Sequence, residues 1–226
     1  REKLFKRTWL KVATDWEIPE KGDYKVKEMP VADASVLIVR GKDGKVRAFH
    51  NVCTHRGNKV VPTTGFETFG KSRANVLSCR FHGWVFSTDG PLRSVPMESS
   101  FGKIDKACLG LREIACDSWE GFIFINFADP PEQPLTEFLG DFGKLFAGYP
   151  YAEATSAFRY STVLECNWKV ALYAFSEGYH VPTIHAGSLP GFRGIEHNDF
   201  KLIGPHASST IYGLGMESAE STAHFA

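Results

Sequence analysis

Two short segments in the first half of the 226-residue chain each combine a cysteine, a histidine and a glycine at close spacing. They read Cys53-Thr-His55-Arg-Gly57 and Cys79-Arg-Phe-His82-Gly83-Trp84. Thiolates and neutral imidazoles are the side chains that bind zinc and some iron–sulfur clusters. Because both segments fall between predicted strands and both contain glycine after the histidine, they indicate one shared metal site rather than two unrelated pairs.

The make-up of each pair decides between the two kinds of metal site. Zinc fingers pair cysteine with cysteine and histidine with histidine, and each pair closes on the metal from one turn. Here each loop supplies one thiolate and one imidazole, which suits a cluster whose first iron takes both cysteines and whose second takes both histidines. The sequence therefore predicts a Rieske-type [2Fe-2S] centre, in which the two glycines let backbone N–H groups approach the sulfides. Its predicted ligands are Cys53, His55, Cys79 and His82.

Short apolar runs separated by turns fill the first half of the chain. Residues 36–39 and 46–49 flank the turn Gly41-Lys-Asp-Gly44, which is a strand–turn–strand signal. Residues 122–127 form another run rich in Phe and Ile, which favour strands. This pattern predicts an all-β sandwich or barrel up to about residue 130.

A proline-rich break, Asp129-Pro-Pro-Glu-Gln-Pro134, ends the β pattern. After it, apolar residues recur at helical spacing from Leu135 to Phe146 and predict a core-facing helix, with Thr136 as its cap. A second helix is predicted from Asn167 to about Tyr179. We therefore expect two domains, residues 8–134 and 135–226, with residues 1–7 a candidate to pack against the second.

A further set of candidate metal ligands lies in Glu177-Gly-Tyr-His180-Val-Pro-Thr-Ile-His185. Glu177 and His180 share a helix face, whereas His185 lies about 140° beyond His180 on an ideal helix. A helix break at Pro182 would let both imidazoles reach one metal, and an unbroken helix would not. Two histidines with a carboxylate are typical of non-haem Fe(II) oxygenases, and a solvated helix surface is the alternative.

Composition limits the class of protein. The 26 basic and 26 acidic residues balance, so charge does not favour nucleic acid or an acidic membrane as a partner. No apolar run approaches the roughly 18 residues of a membrane span, and the amino terminus lacks the apolar core of a signal peptide. The five cysteines argue against a disulfide framework. We expect a soluble, cytoplasmic protein with reduced thiols.

Taken together, the motifs resemble those of the large (α) subunit of Rieske non-haem iron aromatic ring-hydroxylating oxygenases, over its amino-terminal half. The resemblance extends beyond the metal motifs themselves, and five stretches carry it: Trp9-Leu-Lys-Val, Ile18-Pro-Glu-Lys-Gly-Asp-Tyr24, Ala48-Phe-His-Asn-Val-Cys-Thr-His-Arg-Gly-Asn58 (which includes the first motif), Trp119-Glu-Gly-Phe-Ile-Phe124 and Asn167-Trp-Lys169. The family implies an α+β fold, in which an all-β Rieske domain precedes the start of an α+β catalytic domain of the helix-grip, START-like type. One departure is the spacing of 23 residues between the ligand pairs, and we interpret residues 65–74 as an inserted surface loop.

The resemblance also implies roles at the second motif. His180 and His185 match the two iron-binding histidines of the family. Glu177 matches a carboxylate that does not bind the metal but bridges, by hydrogen bonds, the iron-bound His180 to the cluster-bound His82 of a neighbouring subunit. The third ligand, usually Asp, lies well over a hundred residues further on in the family. We therefore expect an incomplete catalytic domain, with residues 191–226 unmatched. Four nearer carboxylates are poor substitutes for that ligand: Glu196, Asp199, Glu217 and Glu220.

The implied activity is that of an oxygenase component with a [2Fe-2S] cluster and a mononuclear Fe(II). It would insert oxygen from O2 into an aromatic or other apolar cyclic substrate, by dihydroxylation or monooxygenation. Electrons would come one at a time from a ferredoxin or an NAD(P)H-dependent reductase. Because the two metals of one chain are too far apart in this family, a homotrimer is implied, with or without a small β subunit.

Two other classes of protein stay open on the sequence alone. A Rieske electron carrier would need only residues 8–134, and it would have no use for the motif from Glu177 to His185. A degenerate, non-catalytic subunit would keep the fold and lack the downstream Asp. Three cysteines fall outside both motifs and are interpreted as buried apolar side chains: Cys108, Cys116 and Cys166.

Overall fold

The computed structural model describes residues 2–153, 162–188 and 198–211, and its first ten strands form two antiparallel sheets. The larger sheet has the order β1-β10-β9-β4-β3-β2-β5 and the smaller β6-β7-β8. The strands are β1 Leu10–Thr14, β2 Asp23–Met29, β3 Ala34–Arg40, β4 Val46–His50, β5 Glu67–Lys71, β6 Val76–Ser78, β7 Val85–Ser87, β8 Leu92–Ser94, β9 Glu113–Trp119 and β10 Phe122–Asn126. The predicted all-β character of this part of the chain is confirmed.

Strand β3 explains why the large sheet has a core on each face. Successive side chains of a strand point to opposite faces, and four consecutive β3 residues, 36–39, are fully buried. Val36 and Ile38 pack with apolar residues of β1, β9 and β10. Leu37 and Val39 pack in the other core, with residues of the small sheet and with Cys53 and Cys79. The two cysteines of the predicted cluster are therefore part of a packed core.

Residues 65–74 are not the surface loop that the sequence predicted, because they contain the edge strand β5. This strand pairs antiparallel with β2, and Gly70 lies opposite Tyr24, whose ring occupies the space that a Cβ would need. The Glu67 carboxylate accepts hydrogen bonds from Lys25 Nζ at 3.1 Å and Lys27 Nζ at 2.9 Å. The segment is thus fixed by backbone pairing and by ion pairs.

The α-helices follow the first ten strands and begin where the proline break ends. Helix α1 spans Leu135–Phe146, begins after Pro134 without a side-chain cap, and has a non-helical backbone at Gly140, so the prediction of Thr136 as cap was wrong. Helix α2 spans Trp168–Phe175, and Asn167 Oδ1 caps it by accepting from the Lys169 amide at 3.0 Å. It ends before Glu177, short of the predicted end near Tyr179.

A short helix and a hairpin complete the described chain. Helix α3 spans Val181–Ile184, and β11 (Asn198–Ile203) pairs antiparallel with β12 (His206–Ile211). The chain divides into two compact units, residues 1–138 with 147–156 and residues 139–146 with 157–226. Among the described residues, no helix has the length and apolar character of a membrane span.

Candidate metal centres

The two loops that carry the cysteine–histidine pairs share one backbone design. The first loop follows β4, and the second joins β6 to β7. In each, the cysteine carbonyl accepts from the amide four residues on, and the cysteine amide donates to the carbonyl five residues on. These bonds are Gly57 N to Cys53 O at 3.0 Å, Gly83 N to Cys79 O at 2.9 Å, Cys53 N to Asn58 O at 2.8 Å and Cys79 N to Trp84 O at 2.9 Å. The amides of Gly57 and Gly83 thus close the two loops.

The loops bring the four predicted cluster ligands together as a pair of thiols and a pair of imidazoles. The Cys53 and Cys79 side chains are buried and hydrogen-bonded to each other. The ring centroids of His55 and His82 lie 4.6 Å apart, and His82 is exposed. This separation of thiols from imidazoles is the arrangement in which one iron has two sulfur ligands and the other has two nitrogen ligands.

One buried nitrogen gives a test of whether a cluster fits these residues. His55 Nδ1 is buried and has no hydrogen-bond partner in the part of the chain that the structure describes. An unsatisfied buried polar atom costs about 1–3 kcal/mol, which a metal bond at Nδ1 would remove. Among the described residues, no group of three or more His, Cys, Asp or Glu side chains is arranged to hold a single metal ion. A [2Fe-2S] cluster fits this arrangement, because it needs two protein ligands for each iron.

Backbone amides point at both thiol sulfurs. In each loop, the amides two and three residues beyond the cysteine donate to its sulfur. Burial and the neighbouring Cys79 raise the pKa of Cys53. Burial also opposes ionisation of Cys79, but its two amides and the Asn58 side chain outweigh this and lower the pKa of Cys79. Donors aimed at sulfur stabilise the thiolate, which is the form that binds metal.

The first loop is held at its base by Asn51, a residue that the sequence analysis missed. Its fully buried side chain donates to the Val61 carbonyl at 2.8 Å and accepts from the Val61 amide at 2.9 Å. This pair of bonds closes the segment that contains Cys53 and His55. Nothing in the sequence distinguished Asn51 from an exposed turn residue, because asparagine is common in both settings.

The second motif is shaped by a turn between α2 and α3. The Glu177 carboxylate accepts from the amides of Tyr179 and His180, and it is hydrogen-bonded to His180 Nδ1. The helix is therefore interrupted before His180. The break at Pro182 that the sequence suggested is not present. Pro182 lies in the first turn of α3, where a missing N–H removes no helical hydrogen bond.

This turn brings the two histidines of the motif together. The ring centroids of His180 and His185 are 5.4 Å apart and their planes are inclined by 65°. Nδ1 of His180 is held by Glu177, and Nδ1 of His185 lies 3.2 Å from Ser188 Oγ. With each Nδ1 engaged in this way, the two Nε2 atoms could serve as the metal ligands, at the ~2.1 Å typical of imidazole. The hydrogen bond from His180 also lowers the pKa of Glu177 and keeps it anionic.

Other predicted residues have different surroundings. Of the four carboxylates considered as substitutes for a third iron ligand, Asp199 lies in β11 and pairs with Lys201 at 2.9 Å. Glu196, Glu217 and Glu220 fall outside the described residues. The prediction that the remaining cysteines are buried was wrong for Cys108 and Cys166, which are exposed, whereas Cys116 is half-buried.

The paired loops define a Rieske-type iron–sulfur protein, and comparison with known families supports this class. The Rieske [2Fe-2S] domain family matches residues 8–113, and the ring hydroxylating alpha subunit (catalytic domain) family matches residues 151–225. The chain therefore belongs to the large (α) subunits of the Rieske ring-hydroxylating oxygenases. This family carries a Rieske cluster and uses mononuclear iron at its catalytic site.

Three similar proteins illustrate the range of the family. The large oxygenase component of the naphthalene 1,2-dioxygenase system of Pseudomonas aeruginosa is 33% identical over an alignment of 231 positions, which covers 96% of this chain and 47% of that protein. A quaternary ammonium Rieske monooxygenase has a TM-score of 0.84 at 26% identity, covering 94% of this chain and 57% of that one. Naphthalene 1,2-dioxygenase with bound indole has a TM-score of 0.70 at 34% identity, covering 82% of this chain and 41% of that one. The chain spans about half the length of the curated relatives that it matches.

Proposed function

We propose that the protein is the oxygenase component of a multicomponent Rieske system, organised as a cluster domain of residues 8–134 and a catalytic domain from residue 135. A [2Fe-2S] cluster held at the first site would supply electrons singly, and a mononuclear iron held at the second would supply the activation of O2 for insertion into an organic substrate. The proposed ligands are Cys53, His55, Cys79 and His82 for the cluster and His180 and His185 for the iron. The observation that carries the proposal is the convergence of His180 and His185, which a simple electron carrier would not need.

The two kinds of cluster ligand would have different roles: the cysteines would anchor the cluster, and the histidines would lie where electrons enter and leave. The cysteines lie in the core, whereas His82 is exposed beside the exposed Phe81. Electron transfer requires close approach, so the imidazole end is the proposed point of entry from a ferredoxin or reductase and of exit towards the iron. The stacking of Trp84 on His55, with centroids 4.7 Å apart and planes 8° apart, would keep that imidazole in place during transfer.

Glu177 is proposed as the bridge between His180 and His82 of a neighbouring subunit, in a homotrimer. Its carboxylate is held in one orientation by two backbone amides and by His180. A carboxylate has about four acceptor positions, so these bonds leave capacity for a second imidazole. The exposure of His82 supports its availability to another chain.

An aromatic or other apolar ring is the proposed substrate, and naphthalene dioxygenase components among the relatives support it. A quaternary ammonium compound is a second candidate, because the structure of a quaternary ammonium monooxygenase gives the higher TM-score, 0.84 against 0.70. Product analysis with one fused aromatic hydrocarbon and one trimethylammonium compound, each with O2 and a reductase, separates the two. Oxidation of the ammonium compound alone would overturn the aromatic proposal.

Electron paramagnetic resonance tests the two metal sites together. We expect dithionite-reduced, iron-replete protein to give a Rieske signal, and nitric oxide to add a high-spin iron–nitrosyl signal. His180→Ala should remove the nitrosyl signal and keep the Rieske signal, whereas Cys79→Ser should do the reverse. A Rieske signal that nitric oxide never supplements would indicate an electron carrier. Absence of any cluster signal would overturn the proposal as a whole.

A further inference from the structure

The equivalent backbone of the two cluster loops places Asn58 and Trp84 at the same position, five residues beyond the cysteine. Each of these side chains crosses to a ligand on the opposite loop. Trp84 stacks on His55, and Asn58 Nδ2 lies 3.7 Å from the sulfur of Cys79, within hydrogen-bonding range for sulfur. The two loops thus each contribute one non-ligand side chain to the other loop's ligand.

The direction of the Asn58 contact is fixed by a second hydrogen bond. Asn58 Nδ2 also donates to the Lys59 carbonyl at 2.8 Å. If the amide were flipped, its oxygen would face two acceptors, a carbonyl and a thiolate sulfur, and both contacts would be repulsive. The nitrogen therefore faces Cys79, and the contact is an N–H donor directed at sulfur.

This donor makes the two proposed thiolate ligands unequal. Each sulfur receives two backbone amides from its own loop. The two sulfurs also share a contact with each other, and among the described residues Cys79 alone receives a side-chain amide in addition, that of Asn58. The asymmetry comes from a side chain, so substitution can remove it without changing the loop backbone.

We propose that Asn58 raises the reduction potential of the Rieske cluster by donating a hydrogen bond to Cys79. One-electron reduction by the external donor would add negative charge to the cluster, and the ligand sulfurs would carry part of it. A donor at sulfur then stabilises the reduced cluster more than the oxidised one. Asn58 is a positioning residue that acts through Cys79, and this inference rests on the ligand set proposed above.

A redox titration of the whole protein, followed by circular dichroism at one fixed pH, tests the proposal. Asn58→Leu keeps the side-chain shape and removes the donor, so we expect the equilibrium constant for reduction to fall about threefold to tenfold, where tenfold is 59 mV for one electron. Thr54→Val is the matched control, because it removes a neighbouring hydrogen bond, from Thr54 Oγ1 to the Leu109 carbonyl at 2.7 Å, that does not reach sulfur. An unchanged potential in Asn58→Leu, or an equal shift in Thr54→Val, would overturn the proposal.

A measurement on the unsubstituted protein covers the case in which Asn58→Leu fails to hold a cluster. Protein labelled with ¹⁵N in the asparagine side chains should show a ¹⁵N coupling to the reduced cluster in pulsed electron paramagnetic resonance. Asn51 carries the same label, but it donates to Val61 and Ser35. A Rieske signal without ¹⁵N coupling would refute the role of Asn58 alone, whereas absence of the Rieske signal would refute the ligand set.

Discussion

The two cluster loops close with glycines of the same backbone conformation, but the space around these glycines differs. Gly57 has φ +77° and Gly83 has φ +71°, a region that L-residues avoid. A Cβ added at Gly57 meets no atom within 4 Å, whereas one added at Gly83 would lie 2.9 Å from Cγ of Pro96. The ring of Pro96 is stiff, so the second site cannot absorb a methyl group as easily.

This difference predicts unequal costs for the same substitution at equivalent positions. Gly57→Ala should lower the free energy of unfolding by about 1 kcal/mol, through backbone strain alone. Gly83→Ala should cost more and reduce cluster loading, because Pro96 must move as well. Denaturant unfolding and iron content of the two variants, measured side by side, check this. Equal losses would show that the Pro96 contact does not limit the second loop.

Residue identity predicted well which side chains come together in the two loops, whereas it predicted the exposure of the other cysteines poorly. The pairs of Cys53 with His55 and Cys79 with His82 could be identified because each lies within one loop, where spacing in sequence fixes spacing in the molecule. Cysteine is often buried, but this average does not apply to Cys108, whose exposed thiol is hydrogen-bonded to the Asp105 carboxylate. Burial depends on packing between segments, which local sequence does not specify.

At the scale of elements, local signals were sufficient for some segments and not for others. The turn at residues 41–44 correctly indicated β3 and β4, because a glycine turn between apolar runs defines a hairpin by itself. The edge strand β5 was missed, since its position depends on pairing with the distant β2. The end of α2 was missed because the Glu177 side chain captures the amides that a continuing helix would have used.

The ion pairs under β5 lead to a prediction for this edge strand. Glu67 accepts from Lys27 and from the buried Lys25, so Glu67→Ala should lower the free energy of unfolding by about 1–3 kcal/mol. Lys71→Ala is the control on the same strand, because its partners Glu20 and Asp23 form a surface network expected to contribute less than about 1 kcal/mol. If the two variants unfold at the same denaturant concentration, the ion pairs of Glu67 do not anchor β5.

The same carboxylate should affect stability at acidic pH. Burial opposes ionisation of Glu67, but hydrogen bonds from Lys27 and Lys25 outweigh it and hold its pKa below the usual 4.5. A lowered folded-state pKa means that the stabilisation is complete above that usual value and is lost as the pH falls through the lowered one. Glu67→Gln should therefore flatten the acid side of the stability profile, and an unchanged profile would contradict the ion-pair assignment.

At the scale of the whole molecule, the proposed ligands divide between the two compact units. The four cluster ligands belong to the first unit, and His180 and His185 belong to the second. Loss of one metal therefore need not disturb the other, so each site can be disabled separately. The passage of an electron from cluster to iron would connect the two sites, and Glu177 and His82 are the proposed contacts for it.

Mixed oligomers of two disabled chains distinguish transfer between subunits from transfer within one. Cys79→Ser chains would keep the iron site without a cluster, and His180→Ala chains would keep the cluster without the iron. If the bridge joins neighbouring subunits, co-assembled chains should form product from whichever substrate the product analysis identifies, although each variant alone is inactive. Adding Glu177→Gln to the Cys79→Ser chain should slow cluster oxidation in these mixtures, because the amide keeps the shape of the side chain and loses its charge. Glu165→Gln, at an exposed carboxylate on the same unit, is the matched control. Inactive mixtures with both metals loaded would mean that the electron does not cross between chains, and Glu177 would then have only its local role of orienting His180.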